Sequence, residues 1–290
     1  MERSLMLLLI LHHNDLDGIA SAAIVYKYMK TFFETIITQA VQYGDTWDPE
    51  LIARADATIL VDFSFPNMYA LAIACNYLVW IDHHETVRTQ QQDAWYDPTL
   101  FGIRSVDLAA CELTWNCYFP GIRMPNAIKW IGDRDTWKFN HNPQTNLFCA
   151  AAFVEISEPE DPVWNDLLHD GPKEQEMLEI GASLLGARQQ RIEHAVKHGA
   201  RIRFEGLNAL IVNATEDISE LGEYIYKKLG YELAIIYSID ETFGVRCSLR
   251  TNQKSINCAE IAQKFGGGGH PGAAGFRLND INGLKVLLGI

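Results

Sequence analysis

The stretch Tyr77-Leu78-Val79-Trp80-Ile81-Asp82-His83-His84 decides how this chain is read. Its five leading apolar residues contain no Gly or Pro and read as a buried strand. They run straight into an aspartate and two adjacent histidines. In an open α/β sheet, ligands gather outside the carboxyl ends of the strands. Carboxylate and neutral imidazole are also side chains that hold a catalytic divalent metal. Adjacent strand residues point to opposite faces, so His83 and His84 reach one site only if the chain turns there. One is expected to bind a metal and the other to reach substrate or scaffold. Taken alone, the triplet also fits a strand that ends in solvated polar residues.

The same pattern recurs upstream. Leu5–Leu11 reads as a first strand, followed by His13-Asn14-Asp15-Leu16-Asp17-Gly18 and a helix of little charge over Ile19–Tyr28. Gly18 is expected to relieve the backbone at that turn. Thr35–Val41 forms a second strand, residues 46–56 a short helix, and Thr58–Val61 a third strand ending at Asp62. A helix over 66–76, with Pro66 in its first turn, returns to the Asp82-His83-His84 strand. This alternation predicts an α/β fold with a parallel, doubly wound sheet. Residues 85–104 read as a polar loop, and 107–119 and 125–131 as helices. The latter runs into Gly132-Asp133-Arg134-Asp135, where either carboxylate is available. Asp133 is the preferred ligand because it directly follows the helix and Gly132.

Composition changes after Pro143. A long amphipathic helix over 173–198 reads as a bridge between domains, with a solvated basic face. Beyond it come a strand (Leu207–Asn213), a helix (Ile218–Leu229), a strand (Glu232–Ser238), a strand (Phe243–Leu249) and a helix (Cys258–Phe265). The two later strands form a hairpin around Asp240-Glu241. Then follows Gly266-Gly267-Gly268-Gly269-His270-Pro271-Gly272-Ala273-Ala274-Gly275-Phe276. So many glycines cost much chain entropy when ordered, and amides without side chains can cradle an anion. His270 and Arg250 can add charge-assisted hydrogen bonds to phosphate. The expected organisation is a metal-binding domain over 1–140, a helical connector over 141–200 and a smaller α/β substrate-binding domain over 201–290.

A chain of 290 residues suits two domains. Its net charge of −13, from 37 acidic and 24 basic residues, disfavours long duplex nucleic acid. No stretch approaches the ~18 apolar residues of a membrane span. The run Ser4–Leu11 is short for a signal peptide and lacks the small-residue cleavage site. The six cysteines show no C-x-x-C pair, which reads as thiols in a reducing compartment. A cytoplasmic location is expected.

The ordered set His13-x-Asp15-x-Asp17-Gly18, Asp62, Asp82-His83-His84 and Asp133 resembles the four motifs of the DHH phosphoesterase superfamily. Many members place the first histidine four residues before the first Asp, and Leu11 stands there in this chain. The resemblance implies two divalent metal ions, Mn²⁺ with Mg²⁺ or Co²⁺ as substitutes, bridged by Asp62. His13 and Asp15 would complete one site, and Asp17, His83 and Asp133 the other. His84 would stand near the scissile phosphate, with Asp82 and His83 in the catalytic group.

The glycine segment resembles the GGGGH-x-x-A-A-G-F signature of the C-terminal domain that accompanies many of these enzymes. Ser248-Leu249-Arg250 resembles that domain's S-x-R strand. By resemblance, Ser248, Arg250, Gly267, Gly268, Gly269 and His270 bind the substrate's terminal nucleotide. The expected function is metal-dependent hydrolysis of short oligonucleotides, of nanoRNA or pApA type, to mononucleotides at an interdomain site. A cyclic-dinucleotide phosphodiesterase and a non-catalytic nucleotide-binding module are the alternatives, and a homodimer is compatible with all three.

Overall fold

The computed structural model describes residues 6–240 and 244–288. The chain divides into two compact units, Met1–Leu184 and Leu185–Ile290. Leu5, Glu241 and Phe243, assigned above to a strand, a turn and a strand, lie outside the described residues.

The first unit is built on strands β1 (Leu7–His13), β2 (Thr35–Val41), β3 (Ala57–Val61) and β4 (Leu78–Ile81). They pair in parallel in the order β2-β1-β3-β4. β1 is buried on both faces: Leu7, Leu9 and Leu11 enter one core, Leu8 and Ile10 another. A strand with no polar face is stable only at the centre of a covered parallel sheet, and each such buried leucine contributes roughly 1.5–3 kcal/mol.

Helices α1 (Leu16–Met29), α2 (Pro49–Arg54) and α3 (Met68–Ala74) follow the first three strands. α1 covers the Leu8 face, while α2 and α3 cover the Leu9 face. Asp15 caps α1 by accepting from the Gly18 N–H at 2.9 Å. Gly18 therefore lies inside the helix, and its role differs from the backbone relief expected. A Cβ there would stand 2.2 Å from the His13 carbonyl oxygen, so glycine lets the helix start close against the strand end.

Residues 85–104, expected as a polar loop, instead form α4 (Glu85–Gln90) and α5 (Gln92–Tyr96) and return along β4. Trp80 and Asp82 donate their backbone N–H groups to the carbonyls of Phe101 and Ile103. The Arg104 guanidinium fixes this return, donating to the carbonyls of Trp95, Asp97 and Leu100 and lying 4.8 Å over the Trp80 ring. Loop-like polarity concealed it because one half-buried cation satisfies the carbonyls.

The remaining helices of this unit are α6 (Ala110–Tyr118), α7 (Asn126–Asp135), α8 (Gln144–Glu155), α9 (Trp164–Leu167) and the first part of α10 (Lys173–Lys197). Phe148, Cys149, Trp164, Leu167 and Met177 share a core with Ile24 and Ile128, so residues 144–177 pack with α1 and α7. α10 runs across the boundary between the units.

The second unit contains β5 (Ala200–Phe204), β6 (Leu207–Asn213), β7 (Leu233–Ile239), β8 (Val245–Arg250), β9 (Gly268–His270) and β10 (Ala273–Leu278). The sheet order is β5-β6-β7-β8-β10-β9, with β6 and β7 parallel and the other pairs antiparallel. Alternation along β6 divides the core. Ala209 and Ile211 face α12 (Cys258–Gln263), while Leu210 and Val212 pack with α11 (Ile218–Glu223) and Ile192 of α10. α11 continues as a π-helical turn over Tyr224–Lys228, and α13 (Ile281–Leu288) follows β10. No helix among the described residues is long and apolar enough to cross a membrane.

The glycine-rich segment is a hairpin rather than the loop expected, with His270 opposite Ala273 and Gly268 opposite Gly275. A Cβ at Gly267 would stand 2.1 Å from the Gly275 oxygen, and Gly269, at φ +143°, lies against Ala274. Close backbone packing explains these two glycines.

Candidate metal centre

The carboxyl ends of β1, β3 and β4 converge because the parallel register sets His12 opposite Val61, and Val61 opposite Ile81. The residues just beyond are the candidate ligands. Asp62 sits at φ +57°, a left-handed conformation that aspartate tolerates better than bulky residues. Its side chain is 1% exposed, and neither carboxylate oxygen has a hydrogen-bond partner among the described residues. An ionised carboxylate buried in that way is costly unless a cation joins it.

Imidazoles surround it. His83 Nε2 lies 3.2 Å from Asp62 Oδ1, 3.6 Å from Asp17 Oδ2 and 3.4 Å from Asp135 Oδ2. His13 Nδ1 lies 2.7 Å from Asp15 Oδ2 and 3.9 Å from Asp62 Oδ2. His13 with Asp15 and Asp62, Asp17 with His83 and Asp135, and Asp62 with His83 and His84 each bring ligand atoms within 4.8 Å of one another. Among the described residues, no lysine or arginine pairs with these carboxylates. Oxygen and imidazole donors with no protein cation between them suit divalent ions, so the donor set fits the implied group.

The electrostatics carry the same message. Burial, then the Asp17, Asp15, Asp82 and Asp135 carboxylates, push the Asp62 carboxyl well above its usual range. Burial and the Asp17 and Asp15 charges raise Asp135 to about 7. Burial also pushes Asp15 up, but hydrogen bonds from His13 and Gly18 outweigh it and hold that group at about 2.

The chain does turn after β4, which resolves how two adjacent histidines share a site. Asp82 Oδ1 accepts from the backbone N–H groups of His83 (2.7 Å) and His84 (3.3 Å) and from His84 Nδ1 (2.7 Å). Its Oδ2 accepts from Ser64. Asp82 is fully buried and hydrogen-bonded at both oxygens, so its place is beneath the site, orienting His84. Asp17 is also partly engaged, accepting from the Ala110 and Cys111 N–H groups at 2.9 Å and capping α6 from a distance.

The preference for Asp133 is corrected by the geometry. α7 does not end before Gly132 but runs through Asp135. Two helical residues two apart are turned about 200° from each other, so only one can face the cluster. Asp135 does so. Asp133 points the other way, accepting from Asn140 N–H (2.8 Å), His141 N–H (3.0 Å) and Thr145 Oγ1 (2.5 Å). It anchors the following turn, in which Trp137 and Phe139 both have positive φ.

His12 is a scaffold residue, buried and donating Nδ1–H to the His13 carbonyl at 2.8 Å. Tyr43 was not anticipated from sequence. Its ring lies 5.5 Å from His13 and 6.4 Å from His84. Burial and the Asp82, Asp62 and Asp15 charges push its hydroxyl up.

In the second unit, antiparallel register aligns Arg250, Ala273 and His270 in one row, and Ser248, Gly275 and Gly268 in the row two residues on, which faces the same side. Residues in one row share a sheet face, so the hairpin brings Ser248, Arg250 and His270 to one side. The small residues of β10 lie between them. Arg250 donates to the Leu249 carbonyl at 2.9 Å, and its stem packs where a side chain on Gly222 would stand.

Residues 7–129 match the DHH family N-terminal domain, and residues 209–288 the DHHA1 domain. An uncharacterized protein of Acanthamoeba polyphaga mimivirus is 24% identical over 288 residues, covering 92% of this chain. This chain spans 66% of that relative's own length. Among solved structures, a pGpG-specific phosphodiesterase from Vibrio cholerae superposes with a TM-score of 0.54 at 14% identity, over 97% of this chain and 96% of that one. The DHH domain of a member of the S1p family of ribosomal proteins gives 0.56 at 14% identity, over 98% and 85%. With both domains matched in order on a fold of this kind, the chain belongs to the DHH phosphoesterase superfamily.

Proposed function

We propose that this chain is a divalent-metal-dependent phosphodiesterase that hydrolyses short oligonucleotides or linear dinucleotides to mononucleotides. The observation that carries the reading is Asp62, a buried carboxylate with both oxygens unpartnered among the described residues, between two further sets of imidazole and carboxylate donors. His13, Asp15 and Asp62 would hold one ion, and Asp17, His83, Asp135 and Asp62 a second. Mixed oxygen and imidazole donors favour Mn²⁺ over Ca²⁺.

When bound, such a pair supplies positive charge to the phosphate and lowers the pKa of an attacking water. The protein's own groups do the rest. Asp82 fixes the His84 ring through Nδ1, leaving Nε2 to donate a hydrogen bond to a phosphate or leaving-group oxygen. Ser64 and the His83 and His84 amides hold Asp82 in turn, so the imidazole is oriented before substrate arrives. In the second unit, Ser248, Arg250, His270 and the exposed Gly268 and Gly269 would bind the terminal phosphate and sugar. The pGpG-specific enzyme of similar fold supports including linear dinucleotides in the substrate class.

The test is hydrolysis with Mn²⁺ of pApA, a five-nucleotide RNA, a five-nucleotide DNA, cyclic di-AMP and pyrophosphate, beside an Asp62→Ala variant. Mononucleotide release from the linear substrates, abolished in the variant, is expected. Cleavage of the cyclic compound alone would replace the reading with a cyclic-dinucleotide phosphodiesterase. Nucleotide binding without turnover of any substrate would replace it with a binding module.

A further inference from the structure

β2 ends at Val41, which the parallel register sets directly opposite His13. The chain then makes a tight turn over Gln42-Tyr43-Gly44-Asp45. The Asp45 N–H donates to the Gln42 carbonyl at 3.0 Å, and the Gln42 N–H to Asp45 Oδ2 at 2.8 Å. Gly44 has φ +99° at the third position, where a turn of type II demands a positive φ. Strand register and turn together carry Tyr43 out over the metal centre.

The ring meets His13 at 63° and His84 at 89°, with Phe63 behind it at 5.4 Å. None of these contacts is a stack, and Tyr43 remains 62% exposed. Its hydroxyl has no hydrogen-bond partner among the described residues. A tyrosine serving only to pack on His13 would lie down on the ring, as Phe63 does at an interplanar angle of 23°. Tyr43 instead keeps aromatic surface open to solvent beside the donor cluster.

The surroundings decide what that surface suits. Asp15, Asp62, Asp82 and Asp135 make the neighbourhood unfavourable for a further anion outside the metal positions. A flat, uncharged aromatic group escapes that penalty, and base-on-aromatic stacking tolerates any base because every base has a π-face. We propose that Tyr43 is a substrate-positioning residue on which the base of the bound nucleotide stacks while its phosphate lies at the metal centre. This rests on the nucleotide-substrate reading above. Sequence specificity by this residue is then weak, and discrimination falls between nucleotides and base-free phosphate esters.

The experiment is equilibrium dialysis of AMP and ribose 5-phosphate against the Mn²⁺-loaded full chain. Wild type is expected to bind AMP more tightly than ribose 5-phosphate. Tyr43→Ala should weaken AMP binding roughly ten- to hundredfold while leaving ribose 5-phosphate unchanged. Tyr43→Phe should stay within about twofold of wild type, since stacking needs the ring and not the hydroxyl. Gly44→Val, which strains the turn but keeps the ring, should fall between wild type and Tyr43→Ala. Equal loss of both ligands, a loss in Tyr43→Phe matching that in Tyr43→Ala, or no base preference in wild type would each overturn the proposal. The hydrolysis panel reads the underlying function separately. Turnover with AMP binding indifferent to Tyr43 would remove only the stacking role. Tyr43-dependent AMP binding without turnover would remove only the phosphodiesterase reading.

Discussion

The two places where this chain gathers functional side chains are built on opposite physical terms. At the carboxyl ends of β1, β3 and β4, charge is concentrated and buried: neither Asp62 oxygen has a hydrogen-bond partner among the described residues, and burial with neighbouring carboxylates raises Asp135 to about 7. At the β9–β10 hairpin, His270 and Gly268 are exposed, and what is tight is the backbone packing at Gly267 and Gly269. One region is held in an unfavourable electrostatic state that a bound cation would relieve. The other presents groups with no such debt. Substitutions should therefore act through charge in the first region and through shape in the second.

The largest effect is expected at Asp62. Asp62→Asn should lower Mn²⁺-dependent turnover on the order of a thousandfold, the scale of losing a preorganised electrostatic group. It should also raise the melting temperature of the metal-free protein by about 2–4 °C, because a buried carboxyl crowded by the Asp17, Asp15, Asp82 and Asp135 carboxylates is replaced by a neutral amide. Calorimetry in chelator and in Mn²⁺ checks both signs; a metal-free melting temperature that drops would contradict the account.

The neighbouring aspartates of α7 sharpen the contrast within one helix. Asp135→Asn should weaken Mn²⁺ binding and turnover with little loss of stability in chelator. Asp133→Asn should cost about 1–3 kcal/mol of stability, since one of its oxygens no longer accepts from Asn140, His141 or Thr145. Metal titration and thermal melts of the two variants should give crossed results. Equal loss of metal affinity in both would break the assignment.

In the second unit, His270→Ala should raise KM roughly tenfold or more with kcat and melting temperature nearly unchanged, as for an exposed hydrogen bond to phosphate. Gly269→Ala, at φ +143° against Ala274, should lower stability as well as raise KM. The smallest effect belongs to Gly268→Ala, which meets nothing within 4 Å and should stay within about 0.5 kcal/mol. Steady-state kinetics and melts of the three variants measure the series.

Much of this was readable in the chain because it lies at strand ends. Leu7–Leu11, Ile59–Val61 and Leu78–Ile81 are apolar runs, and Asp62, Asp82 and His83 directly follow or nearly follow them. The choice between Asp133 and Asp135 is not legible in the chain, because the apolar pattern of α7 stops before the helix does and hides the half-turn separating the two. Tyr43 left no local signal: its place over His13 comes from the pairing of β1 with β2. β9 was equally silent, since two glycines and a histidine carry no strand pattern, and only their pairing with β10 makes them one.

The most direct test of the central claim is to count the ions that Asp62 organises. Mn²⁺ titration followed by electron paramagnetic resonance should show two ions per chain with an exchange-coupled signal, and Asp62→Asn should lose the coupling and at least one ion. Binding of one ion or none in wild type, or two coupled ions that persist in Asp62→Asn, would contradict it.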